Sequence, residues 1–264
     1  MTDKTNRVAL QAQDVRYGYE RDGMVLRGVT LGFERGMLTG ILGPNGSGKT
    51  TLIKLLSGAL RPSTGKVLLN GRDVRDYPAR ELARNMSVVP QSTRMDFDMT
   101  ALDVVLMGRQ PYLRRFEREG EADLRIARAA LERTDVLRYA DTPVTALSGG
   151  ELQRVVIARA LAQQASVMLL DEPVSNLDIR HTARILRLTR SLTREDDVCA
   201  VCVLHDLSLA GWFCDRIALM LEGSVYAFGT PAQVLTRENV LSVYGVDADI
   251  VRDGDAVRVL PRYE

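Results

Sequence analysis

An α/β fold built around a mostly parallel sheet follows from three features of the sequence. Apolar runs of strand length alternate with stretches whose apolar residues recur every three or four positions. One strand-like run, residues 37–42, leads straight into Gly43-Pro44-Asn45-Gly46-Ser47-Gly48 and then into a helical pattern over residues 49–60. Another, residues 167–170, ends in two adjacent acids, Asp171 and Glu172.

Taken in order, residues 7–42 read as short β-like runs broken by glycine. The helix after the glycine loop is supported by Leu52, Ile53, Leu55 and Leu56, which share one face before Gly58. Further strands are predicted at 66–70, 86–90, 167–171, 198–204 and 216–221. Between residues 92 and 162 the pattern turns to helix after helix, with 121–138 and 151–162 the clearest, so a helical subdomain interrupts the sheet there. The tail from 231 to 264 adds short elements, and the 264 residues are read as one domain, long enough to bury a full core.

Composition narrows the function. Lys and Arg number 35 against 34 Asp and Glu, a net charge of +1, without the basic excess of a dedicated nucleic-acid binder, so no nucleic-acid partner is expected. The aliphatic run 198–204 is far shorter than the roughly 18 residues that suggest a membrane-spanning helix, so any membrane role is expected to come through a partner. Residues 1–10 are polar and carry no secretory signal pattern, which points to a cytoplasmic chain without disulfides. Cys199 and Cys202 form a C-x-x-C pair, but three residues apart on a strand they point to opposite faces, and core packing is the expected role. Trp212 is likewise expected in the core, and His181 on a helix surface.

The chemistry concentrates at two places. Gly43-x4-Gly48-Lys49-Thr50 has the phosphate-loop pattern: glycines let backbone N–H groups close around phosphates, Lys49 brings a charge to the β/γ oxygens, and Thr50 offers a hydroxyl to Mg²⁺. The helix that starts there adds the positive end of its dipole. Asp171 and Glu172 close an apolar strand at the carboxyl end of the sheet, where Asp171 can hold Mg²⁺ through water and Glu172 can orient and deprotonate an attacking water. Together these residues specify a phosphate-loop NTPase.

A narrower reading comes from Leu147-Ser148-Gly149-Gly150-Glu151-Leu152-Gln153-Arg154, which resembles the signature of the ABC ATPase family. Gln91 in Val-Val-Pro-Gln resembles the family's Q-loop, Ser175-Asn176-Leu177-Asp178 its D-loop and His205 its switch histidine. Tyr19 resembles the aromatic residue that stacks on adenine, with Tyr17 as a nearby competitor. The resemblance covers almost the whole chain. It implies a P-loop NTPase core with N-terminal antiparallel β strands and an inserted helical subdomain. It also implies ATP and Mg²⁺ as ligands. Residues 43–51, from Gly43 and Pro44 through Asn45, Gly46, Ser47, Gly48, Lys49 and Thr50 to Thr51, would contact the nucleotide, as would Ser148, Gly149, Gly150 and Asp178. Thr50, Gln91 and Asp171 would serve the metal, and Glu172, His205 and Gln91 catalysis.

In this family two copies pair head to tail, the phosphate loop of one and the signature of the other enclosing each ATP. The implied partners are therefore a second copy, a transmembrane permease and, indirectly, a periplasmic or surface substrate-binding protein, with the chain at the cytoplasmic face of the membrane. Residues 105–113, with Gly108-Arg109-Gln110-Pro111-Tyr112 at their centre, and the tail from Gly229-Thr230-Pro231 through Val243-Tyr244-Gly245-Val246 resemble the importer branch for iron chelates, haem and vitamin B12. Arg109, Arg114, Arg115 and Arg118 crowd one segment. They are either a solvated face or part of a permease-docking surface between Gln91 and Phe116. Val174 and Met37 depart from the family pattern without removing a catalytic group. A zinc, manganese or other small-solute transporter, or a soluble assembly scaffold, would carry the same nucleotide motifs.

Overall fold

The structure is a computed structural model that describes residues 7–19, 23–91, 98–175, 177–254 and 256–262. It divides into two compact units, Met1–Tyr77 with Thr189–Glu264, and Pro78–Leu188.

The first unit opens with β1 (Val8–Tyr19) and β2 (Gly23–Glu34), paired antiparallel. The pairing shifts register around residues 12–15, where Asp14 takes a left-handed φ of 43°, a conformation that aspartate tolerates better than most residues. β3 (Leu38–Leu42) is buried at every position, as a strand covered on both faces must be. It feeds the glycine loop and α1 (Lys49–Leu56). The helix stops short of the predicted residue 60 because Gly58 turns left-handed at φ 75°. β4 (Thr64–Leu69) pairs antiparallel with β1, and β5 (Arg72–Asp73) with β4, completing an antiparallel sheet of order β2-β1-β4-β5.

The second unit contains α2 (Ala79–Asn85), β6 (Met86–Val89), α3 (Ala101–Leu106), α4 (Glu121–Arg133), α5 (Gly149–Ala162) and β7 (Val167–Asp171). β6 and β7 pair in parallel from Met86↔Val167 to Val89↔Leu170. Ala101, Val104 and Val105 of α3, Ala127 and Leu131 of α4, and Val155 of α5 form one buried cluster, a consequence of apolar residues three and four apart on each helix. α4 ends before the predicted residue 138, since Asp135 is left-handed at φ 61°. α6 (Ile179–Glu195) carries the chain on into the first unit at Thr189.

There the chain forms β8 (Cys199–Val203), α7 (Leu207–Phe213), β9 (Arg216–Leu221), β10 (Ser224–Gly229), α8 (Pro231–Val234), α9 (Arg237–Tyr244) and the hairpin β11 (Ala248–Asp253) with β12 (Ala256–Pro261). β3 lies between β8 and β9 and is parallel to both, while β10 returns antiparallel along β9. The mixed α/β class with a parallel sheet and antiparallel N-terminal strands is the one the sequence predicts.

Cys199 and Cys202 are fully buried and in no disulfide, and burial pushes the Cys199 thiol up to about 12. Trp212 corrects the sequence reading: it is 43% exposed. α7 is only seven residues long and turns Ala210, Gly211 and Phe213 inward, which leaves Trp212 on the outer side beneath the Arg258 guanidinium. Among the described residues no helix is long and apolar enough to cross a membrane.

Candidate functional site

The phosphate loop joins the buried end of β3 to α1, so a rigid strand fixes one end of the loop and a helix the other. Gly43 has φ 148°, and a Cβ there would collide with the Met220 carbonyl oxygen and lie 2.7 Å from Ser47 Oγ. No residue with a side chain fits that position. Gly48 caps α1 at φ 95° without any side-chain hydrogen bond to the first-turn amides. The Lys49 ammonium, 6% exposed, donates to the carbonyls of Gly43 at 2.8 Å and Pro44 at 2.9 Å, which folds the loop around it. Asn45 and Gly46 are exposed at the tip, while Thr51 is buried.

Ser47 Oγ is buried and has no hydrogen-bond partner. An orphaned hydroxyl beside a helix start that no side chain caps is the arrangement a phosphate oxygen would complete. The residues present therefore fit a nucleotide. The oxygen donors of Thr50 and Asp171 are of the kind that suits a hard divalent cation.

In the second unit Asp171 ends β7 with only 4% exposure, and Glu172 follows it with a left-handed φ of 51°. A non-glycine residue held in that region costs of order 1–3 kcal/mol and is characteristic of functional turns. The carboxylate of Glu172 accepts a hydrogen bond of 2.8 Å from Gln91 Nε2, so two residues 81 apart in sequence meet at one side-chain contact.

The signature segment forms the start of α5. Ser148 is its N-cap, and Ser148 Oγ donates to Glu151 Oε2 at 2.7 Å while the Ser148 amide reaches the same oxygen at 2.9 Å. Hydrogen bonds from Tyr139 and Ser148 hold the Glu151 carboxyl down at about 2. Gly149 and Gly150 form the first turn, and a Cβ at Gly149 would meet nothing within 4 Å. Farther along the helix, Arg154 is buried and pairs with Asp135, and Gln153 donates to the Pro173 carbonyl at 3.2 Å.

Other expected residues fall as follows. His205 is exposed just after β8. Asp178 accepts from the His181 amide at 2.8 Å and lies 2.9 Å from His181 Nδ1, and the amide bond is the first cause that lowers its carboxyl below the usual range. His181 is therefore tied to the D-loop aspartate, which its place in the sequence did not disclose. Asn176 of that motif and residues 92–97 of the proposed docking segment lie outside the described residues. Tyr17 and Tyr19 stand edge to face with centroids 5.0 Å apart.

Arg109 does not share its neighbours' setting. Arg114, Arg115 and Arg118 are exposed, but Arg109 is 6% exposed, ion-paired to Asp123 at 2.9 Å and bonded to the Ala162 carbonyl at 2.8 Å. Its guanidinium also covers the Tyr112 ring. Arg109 thus braces the end of α5 from inside the unit and belongs to neither a solvated nor a docking face. Sequence reasoning also gave no role to Tyr139, now on Glu151, or Tyr244, whose buried hydroxyl approaches the Gly43 amide without making a well-formed hydrogen bond.

A glycine loop closed around a buried lysine, together with an acidic strand end, defines the class of α/β phosphate-loop proteins. Residues 26–175 match the family described as ABC transporter, more than half of the chain, and the chain belongs to that family. It is 40% identical over 267 residues to the hemin import ATP-binding protein HmuV of Bordetella avium, covering 97% of this chain and 100% of that one. It is 38% identical over 239 residues to the cobalamin import ATP-binding protein BtuD of Halobacterium salinarum, where 90% of this chain spans 60% of the relative. Among solved structures, a chain of an ABC transporter in an inward-facing conformation superposes with a TM-score of 0.83 at 27% identity, over 97% of this chain and 98% of that one. A dimeric ATP-binding cassette, MJ0796, bound to ADP and phosphate, gives 0.75 at 29% identity over 83% and 97%.

Proposed function

We propose that this chain is the ATP-hydrolysing subunit of an ABC importer, paired head to tail with a second copy beneath a permease at the inner face of the membrane, and that its cargo is haem or a related iron or cobalt chelate. The observation that carries the reading is the end-to-end likeness to a hemin import ATP-binding protein. Haem is placed before cobalamin because the hemin relative is 40% identical over 97% of this chain, against 38% over 90% for the cobalamin relative.

In this reading Lys49 and the amides of residues 43–51 bind the β- and γ-phosphates, and Ser47 Oγ gives its unused hydrogen bond to them. Thr50, Gln91 and Asp171 hold Mg²⁺, which when bound neutralises charge on the phosphate oxygens. Glu172 orients the attacking water and takes its proton, with Gln91 fixing the carboxylate's direction through the 2.8 Å hydrogen bond. His205 contacts the γ-phosphate as a positioning group, and Tyr19, with Tyr17 beside it, stacks on the adenine. Ser148, Gly149, Gly150 and Asp178 complete the site of the other copy, so that ATP stabilises the closed dimer and hydrolysis loosens it.

The experiment is ATPase activity of the chain co-expressed with a candidate permease, with and without a binding protein carrying haem, a ferric chelate or cobalamin. Stimulation by the haem-loaded protein supports the proposal. Stimulation only by a zinc- or manganese-loaded protein transfers the chain to another importer branch, and a soluble complex with no permease refutes the transport role.

A further inference from the structure

A cleft of about 650 Å³ opens in the first unit among the end of α6, α7, the start of α8 and the β11–β12 hairpin. Arg190, Arg194, Trp212, Asp215, Pro231 and Arg252 are among its walls; none of the nucleotide motifs falls in it, and only the stretch beginning Thr230-Pro231 comes from a segment with a family resemblance. The volume is that of a small-molecule site, for which roughly 300–1,000 Å³ is typical.

Its acids are already engaged. Asp215 accepts from the Leu38 amide at 2.9 Å through Oδ2 and from Arg194 at 2.8 Å through Oδ1. Asp253 is paired with Arg258 at 3.0 Å. Arg190 gives one hydrogen bond of 3.3 Å to the Trp212 carbonyl. Among the described residues no carboxylate lies within ion-pairing distance of Arg190 or Arg252. The cleft thus offers two guanidiniums with donors to spare beside a half-exposed indole, whose ring has Arg258 5.4 Å from its centroid. Paired planar donors select a phosphate dianion, and an aromatic wall selects a flat ring next to it.

We propose that this cleft binds a small phosphorylated ligand of the nucleoside monophosphate class, with the phosphate between Arg190 and Arg252 and the ring against Trp212. The site is separate from the phosphate loop and calls on none of its residues. A ligand there would touch the end of α6, the helix α7 and the C-terminal hairpin together, and so would bias their relative arrangement.

Trp212 is the only tryptophan in the chain, so intrinsic fluorescence reports on this cleft alone. The test uses the full chain carrying Lys49→Ala, which blunts the phosphate loop, titrated at constant ionic strength with AMP, inorganic phosphate or adenosine. The proposal expects a saturable change in tryptophan emission with AMP, a weaker response to phosphate and none to adenosine. Adding Arg190→Ala and Arg252→Ala should weaken AMP at least tenfold while the thermal midpoint of the unliganded chain stays in place, and Arg252→Lys should weaken it less. No saturable response to AMP, an equal response to adenosine, or a response indifferent to the arginine substitutions would each overturn it.

Discussion

The starts of α1 and α5 are both glycine-rich helix N-termini, yet they are finished in opposite ways. α1 begins at Gly48, which contributes no side chain to the exposed amides, and the neighbouring Ser47 hydroxyl is buried without a partner. α5 begins at Ser148, whose hydroxyl and amide are both committed to Glu151 in a closed capping box. An isolated chain therefore has one helix start prepared for an anion and another that is satisfied on its own. The first can bind a phosphate as it stands. The second must give up or share a hydrogen bond to do so, which in the proposed head-to-tail pair would make it responsive to the arrival of a second copy.

Three measurements separate chemistry from binding on this basis, the largest effect first. Glu172 belongs to neither helix start, so Glu172→Gln should leave nucleotide affinity within a few-fold while lowering hydrolysis by about 10² to 10⁴, the usual worth of a general base. Equal turnover in wild type and variant would remove Glu172 from the chemistry. Lys49→Ala strikes the prepared start. The loss of a charged donor to phosphate, worth about 1.5–3 kcal/mol, should weaken ATP binding to the isolated chain by roughly 10- to 150-fold by calorimetry. Ser148→Ala strikes the satisfied start: ATP binding to the isolated chain should not change, whereas stability should fall by about 1 kcal/mol for the lost cap, or about 2–4 °C in melting midpoint. If Ser148→Ala weakened ATP binding to the isolated chain as much as Lys49→Ala does, the contrast between the two starts would fail.

Much of this was readable in advance, for reasons that differ by residue. The phosphate loop is legible because its geometry is written in glycine: only Gly fits at residue 43 with φ 148° against Met220, so the requirement shows directly in the sequence. β7 and its acidic end are legible because an unbroken apolar run of four residues, Val167 to Leu170, suits a fully buried strand. Arg109 misled because four arginines within ten residues read as a charged surface, and burial depends on distant partners such as Ala162 and Gln164. Trp212 misled for the converse reason, since a large apolar residue reads as core unless the length of its helix is known. Tyr139 carried no signal and Tyr244 stood out only as part of the tail's resemblance, because the contacts that give both their roles are set by tertiary folding.

The smallest expected effect concerns how firmly the α5 start is closed. The Glu151 carboxyl stands at about 2 against an ordinary value of 4.5, held first by Tyr139 and then by Ser148. A carboxyl depressed on folding contributes stability that is present above its unfolded value and is lost as the pH falls toward its folded value. The window here runs from about 4.5 down to about 2. The melting-point advantage of wild type over Glu151→Gln should therefore be constant near neutrality and shrink as the pH is lowered from about 5 to about 3. Tyr139→Phe removes the leading hydrogen bond and should raise the lower end of that window toward the unfolded value, so that the decline starts at the same pH but is smaller, with the Ser148 contacts still in place. A difference between wild type and Glu151→Gln that stayed flat through the acid range would mean that Glu151 does not close the capping box in solution, and that the two helix starts are alike after all.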